Sequence, residues 1–210
     1  MSAAPLLCRR GPHAGVGELC LRALCVPGDI AVVHDWVSRD YARFWGLVGS
    51  DLCGVERVYR EITAAEHVSV YLGLHAGRPS FLVETYVPAY EPIGRHYAAE
   101  PGDRGMHVLV APTRARIPGF TWAVFTLVLD FLFSDQGVQR IVVEPDVRNE
   151  KIIALNQRAG FEPKTRVRLS ATATAPGKIA LLSFCTRAAY LQVRAKEGFP
   201  SCQTPRRNEA

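Results

Sequence analysis

The chain has 210 residues, 48% of them apolar and 21% charged, a composition that supports one hydrophobic core and excludes a largely disordered or fibrous protein. A formal charge of +5 favours an anionic small ligand, but no basic stripe interleaved with stacking aromatics runs through the sequence, which argues against nucleic acid as a partner. The six cysteines include no CxxC pair, so reduced thiols are expected instead of a zinc site or disulfide framework.

In chain order, residues 1–15 and 195–210 are polar, Pro-containing and aperiodic, and are expected to be loose ends of a single domain spanning 1–210. Arg9 and Arg10 are followed by no signal core. The longest apolar stretch, residues 119–133, is too short to cross a bilayer and contains Asp130, so a cytoplasmic location without membrane contact is expected. Alternation predicts strands over 19–26 and 64–77, the latter turning at Gly77-Arg78-Pro79 into a third, FLVETYVP. Helical spacing predicts one short helix over 38–45, capped by Ser38, and another over 51–63. Next come the strand MHVLVAP, a Pro/Gly-containing loop at 113–119, the apolar helix FTWAVFTLVLDFLF, the strand QRIVVEPD and the helix VRNEKIIALNQRAGF. RVRLS and KIALLSFC supply two last strands. The expected fold is α/β (α+β), a mixed, mostly antiparallel sheet flanked by about four helices.

Chemistry concentrates in a few segments. Arg114 and Arg116 precede Pro118-Gly119 and a helix start, where backbone amides and the helix dipole attract anions such as a pyrophosphate. The same residues also suit an ordinary strand-to-helix turn with two solvated arginines. His107 lies within a strand just before this loop, placed either as a general base or as a hydrogen-bonded sheet residue. Asp146, at the end of the next strand, either orients that base or caps the following helix. His34-Asp35-Trp36 borders an amine pocket or packs a helix entry, and Glu84 and Tyr86 share one face of a strand with the same two alternatives. No serine or cysteine stands in a nucleophile elbow, which disfavours a covalent acyl-enzyme.

Taken in order from about Val33 to Tyr190, the motifs HDW with Phe44-Trp45, FLVETYVP, GDRGMHVLVAP, PGFT, FLF, RIVVEPDVRNEKI, LNQRAGF and KIALLSFCTRAAY resemble the siderophore-biosynthesis N-acyltransferases of the GNAT superfamily, those of the aerobactin, rhizobactin, alcaligin, desferrioxamine and mycobactin pathways. The resemblance implies the GNAT fold and transfer of an acyl group from acetyl-CoA or succinyl-CoA to an N-hydroxylated lysine or diamine, forming a hydroxamate without a metal. It implies a functional link to an amine N-hydroxylase and a siderophore synthetase. It assigns His107 and Asp146 as the catalytic pair, and Val108, Leu109, Arg114, Arg116, Gly119, Phe120, Thr121 and Asn149 to the cofactor. It places His34 and Trp36 at the border of the acceptor pocket, and Glu84 and Tyr86, from their shared strand face, are the other acceptor candidates. Ile117-Pro118 replaces part of the usual glycine-rich phosphate loop. The mechanism expected is direct attack in a ternary complex, with His107 accepting the proton and a backbone amide of its strand holding the oxyanion. Acetylation of another amine, such as an aminoglycoside, and a non-catalytic acyl-CoA-binding module are the competing readings.

Overall fold

The computed structural model describes residues 5–113, 115–171, 177–198, 200 and 202–203. Eight strands form one sheet: β1 (Leu6–Arg10), β2 (Leu19–Ala23), β3 (Val68–His75), β4 (Arg78–Tyr86), β5 (Asp103–Val110), β6 (Arg140–Val143), β7 (Glu162–Leu169) and β8 (Lys178–Thr186). Their spatial order is β1-β2-β3-β4-β5-β6-β8-β7, and every pairing is antiparallel except β5 with β6. Among the described residues five α-helices flank the sheet: α1 (Ile30–Val37), α2 (Leu52–Ala64), α3 (Phe120–Ser134), α4 (Glu150–Arg158) and α5 (Arg187–Glu197).

Strand alternation sends side chains of the central strands to two layers. Phe81, Val83 and Met106 meet α3, whose residues are buried almost all round, as expected of a helix apolar on every side. Leu72 and Leu82 face the opposite layer, where Val33 and Val37 of α1 and Val55 and Tyr59 of α2 pack on them. A third cluster, with Tyr86, Ile93, Val142 and Leu182, continues this second layer toward β7 and β8.

Several expectations require correction. The N-terminal residues expected to be loose contain β1, which holds the sheet edge and pairs at Arg9 with Gln203 from the opposite end of the chain. The helix expected over 38–45 lies earlier. Ile30, Val33, Trp36 and Val37 supply the apolar face of α1, and Ser38 ends it, its hydroxyl donating to the His34 carbonyl at 2.7 Å. Residues 40–42 form only a 3₁₀ turn. Asp51 caps α2 by accepting from the Gly54 amide at 2.7 Å, as the capping preference of Asp suggests. The fifth helix, α5, reaches into the segment expected to be loose; Thr186 caps it and Gly198 closes it in the left-handed region.

One feature of the sheet positions the site. Parallel pairing of β5 with β6 stops at Gly105 opposite Val142, while β5 continues to Val110 on β4. Beyond Gly105 the strands part, leaving one backbone edge of β5 without a partner strand.

Candidate active site

His107 stands just past this parting. In the β4–β5 register it is directly opposite Glu84, so both side chains emerge on the α2 side of the sheet. His107 Nδ1 lies 3.2 Å from Glu84 Oε2, and Nε2 lies 2.9 Å from Oε1 of Glu144, the residue that follows β6. The imidazole is thus clamped between two carboxylates, one delivered by each neighbouring strand.

The clamp is itself held. Trp45 Nε1 donates to the Tyr59 hydroxyl at 2.9 Å, and Tyr59 donates to Glu84 Oε1 at 3.0 Å. On the other flank the Tyr86 hydroxyl donates to Glu144 Oε2, and Lys178 Nζ lies 3.5 Å from Glu144 Oε1. The Tyr86 ring crosses β5 at Gly105, where a Cβ would approach the ring to 2.0 Å. Only glycine leaves that path open.

The electrostatics follow from this packing. Burial disfavours the charged imidazolium, but the attraction and hydrogen bonds of Glu144 and Glu84 outweigh it and raise the His107 pKa to about 9. For Glu144, burial favours the neutral acid, yet Lys178 and His107 hold it down to about 2. Burial first, then the adjacent carboxylates, pushes the Tyr59 and Tyr86 phenols well above their ordinary range, so both remain neutral donors. Both ring nitrogens thus face carboxylate acceptors, an arrangement that favours the imidazolium over a free neutral base.

Two cavities share this centre as a common wall. The first, about 270 Å³, lies in the opening between β5 and β6 and is lined by the β5 residues Met106 to Leu109, by Phe125 of α3 and by Asn149, Ile152 and Asn156 beside or within α4. Asn156 Oδ1 is buried without a hydrogen-bond partner among the described residues. The second cavity, about 190 Å³, lies against α2 and the segment after β4, lined by Val58, Ile62, Val68, Tyr86, Glu91 and Leu169 among others. Trp45, Glu84, His107, Glu144 and Lys178 border both.

Of the residues singled out in the sequence, His107, Glu84, Val108, Leu109, Asp146 and Asn149 line the first cavity, and Tyr86 lines the second. Asp146 is not hydrogen-bonded to His107. Its carboxylate accepts from the Arg148 amide and guanidinium at 2.6 to 2.9 Å, and these bonds hold its pKa below the usual range. Nor is Asp146 the N-cap of α4, the other role considered for it; Asn149 holds that position, with no capping bond from its side chain. Arg116, Gly119, Phe120 and Thr121 sit at the entry to α3 and line neither cavity; Gly119 is left-handed, with open space where a Cβ would be. Arg114 lies outside the described residues. His34 Nε2 lies 3.0 Å from the Ser50 carbonyl and Trp36 is buried in the α1–α2 layer, and neither lines either of these two cavities.

Sequence reasoning missed Glu144, Lys178 and Asn156. Glu144 was legible as the acid ending an apolar strand, but nothing local says which of two nearby acids faces the histidine.

Comparison with known proteins adds to this geometry. A protein-family profile described as "Acetyltransferase (GNAT) domain" matches residues 26–169. N(6)-hydroxylysine O-acetyltransferase of Escherichia coli is 30% identical over 119 residues, 56% of this chain; the match covers only 38% of that relative's length. Aminoglycoside N(6')-acetyltransferase type 1 of Klebsiella pneumoniae is 26% identical over 80% of this chain and 83% of its own. Among solved structures, AAC(6')-Ib in complex with paromomycin and acetyl-CoA superimposes with a TM-score of 0.71 at 26% identity, covering 84% of this chain and 97% of that one. An uncharacterized protein of Bacillus halodurans gives 0.82 at 21% identity, covering 93% and 97%, a likeness of fold.

Proposed function

The chain belongs to the GNAT acetyltransferase family and is an acyl-CoA-dependent acyltransferase acting on amine nitrogen, and from that premise we propose that its acceptor is an N-hydroxylated amine, a diamine or lysine derivative, converted to a hydroxamate for siderophore assembly. The observation that carries this reading is His107 with both ring nitrogens against carboxylates, Nδ1 at Glu84 and Nε2 at Glu144, at the junction of the two cavities. An alkylammonium, with a pKa near that of lysine at about 10.4, must lose a proton before it attacks, and this centre presents no neutral imidazole to take it. A hydroxylamine nitrogen is already uncharged near neutral pH and needs only to be positioned against the thioester.

The first cavity suits the acyl-CoA arm. The unpartnered edge of β5 offers backbone groups to an extended chain and an amide to the thioester oxyanion. The start of α3, with Gly119, Phe120, Thr121 and Arg116, supplies the anion site for the pyrophosphate. In the transfer, the acceptor nitrogen forms a bond to the carbonyl carbon and the carbon–sulfur bond breaks. His107 gives its proton to the departing thiolate. The proton released from nitrogen restores the imidazolium through the carboxylates that clamp it. A donor with a pKa of about 9 is matched to a thiol, whose ordinary value is about 8.5. Asp146 acts with Arg148 at the cavity wall, where Arg148 also suits a succinyl carboxylate. An amine N-hydroxylase supplies the acceptor and a siderophore synthetase uses the product.

A second reading, acetylation of an aminoglycoside, is favoured by the matches that extend over most of the chain. A thiol-release assay separates the two, pairing acetyl-CoA and succinyl-CoA with N-hydroxycadaverine, N-hydroxylysine, their unhydroxylated parents and kanamycin, with products weighed by mass spectrometry. Turnover selective for hydroxylated acceptors is expected; kanamycin as the best acceptor would replace this reading with the second.

A further inference from the structure

The second cavity carries a feature that hydroxamate chemistry at His107 does not use. Its walls toward α2 and β7 are mostly aliphatic, formed by Leu47, Val58, Ile62, Val68, Ile93 and Leu169 with Ser170 beside them, and suit a methylene chain. Against them stands one further carboxylate, Glu91, in the turn that links two short 3₁₀ segments after β4. The turn is fixed. The Glu91 amide donates to the Pro88 carbonyl at 3.0 Å, the Gly94 amide returns to the Glu91 carbonyl at 3.0 Å, and a Cβ on Gly94 would stand 2.2 Å from the Pro88 oxygen. His67 Nε2 lies 3.2 Å from Glu91 Oε1, and Tyr90 packs on the His67 ring at 5.3 Å between centroids. His67 thus engages one carboxylate oxygen, and among the described residues no donor is bonded to the other, which can take a further one.

We propose that Glu91 is a specificity-determining residue that holds the far ammonium of a linear diamine-derived acceptor while its hydroxylated nitrogen lies beside His107. The inference rests on the reading of the acceptor as an N-hydroxylated amine and adds what its other end carries. The aliphatic walls cover the methylene chain. The cavity also contains Glu84 and Glu144, against the cations His107 and Lys178, and Lys178 is already engaged with Glu144. An acceptor bearing an α-carboxylate, as a lysine derivative does, brings a negative charge toward Glu91 and is disfavoured.

The test compares N-hydroxycadaverine with N-pentylhydroxylamine, which has the same chain length and lacks the ammonium, on the full chain and on Glu91→Gln, with cadaverine and N-hydroxylysine as further acceptors. In the wild type, kcat/KM for N-hydroxycadaverine is expected to exceed that for N-pentylhydroxylamine at least tenfold, mainly through KM. Glu91→Gln is expected to bring the ratio near one. Equal use of the two acceptors by the wild type overturns the proposal without need of the variant and leaves the hydroxylamine reading intact, as does a ratio unchanged in a folded Glu91→Gln. Preference for cadaverine over its N-hydroxy form, still dependent on Glu91, sinks the hydroxylamine reading and supports the ammonium site. Turnover of none of these acceptors overturns both.

Discussion

At the level of single residues, the proton on His107 decides how the enzyme responds to pH. Because its pKa is raised to about 9 in the folded protein, the imidazolium is present at neutral pH and disappears as pH rises through about 9. If it serves as the acid for the leaving thiolate, kcat/KM falls on that limb; a general base would give the opposite slope. Glu144→Gln removes the nearer carboxylate, so the limb should move to lower pH and the rate at pH 8 should drop by roughly 10²-fold or more. A pH–rate profile of both proteins with a hydroxylated acceptor checks the pair. The same ionisations contribute to folding. Stability from His107 is complete below its ordinary value of 6.5 and lost as pH rises through about 9, whereas that from Glu144 is present above 4.5 and lost only as pH falls through about 2. His107 itself was legible in the sequence from its place in a strand before a helix-entry loop. Its partner was not: Glu144 and Asp146 flank Pro145 at the end of the same strand, and the parting of β5 from β6 determines which of them meets the ring.

At the level of elements, the decisive event is the early end of β5–β6 pairing, which opens the first cavity and lets Tyr86 pass over Gly105 to Glu144. Gly105→Ala puts a methyl group into the Tyr86 ring and should destabilise the fold by about 1–3 kcal/mol through overpacking. It should also lower activity more than stability predicts, because the ring that moves is the one holding Glu144. Chemical denaturation and steady-state kinetics on one preparation separate the effects. Most strands and the long helices were legible from periodicity alone, as FLVETYVP and FTWAVFTLVLDFLF illustrate. The first short helix was displaced because Ser38 looks like a start signal, while the i, i+3 spacing of Ile30, Val33 and Trp36 places the helix before it.

At the level of the whole molecule, the two ends of the chain close on the core through one buried charge. Arg10 of β1 reaches Asp130 of α3 at 2.8 Å, and Asp130 also accepts from Tyr190 of α5 at 2.8 Å. Asp130→Ala removes the buried carboxylate that Arg10, Arg194 and Tyr190 share and should cost about 3–5 kcal/mol, a fall in Tm on the order of 10 °C. Differential scanning calorimetry reads it. None of this was legible, since polar terminal residues without periodicity look loose, and the partner of Arg10 lies 120 positions away.

In the proposed reaction the free enzyme holds its proton on His107 and so awaits an uncharged nitrogen. An NMR titration of the histidine ring signals measures this directly, with His107→Asn identifying the signal among the six histidines. Protonation of the ring through neutral pH and titration near 9 is the predicted result; a ring neutral at pH 7 and titrating near its ordinary 6.5 would contradict it.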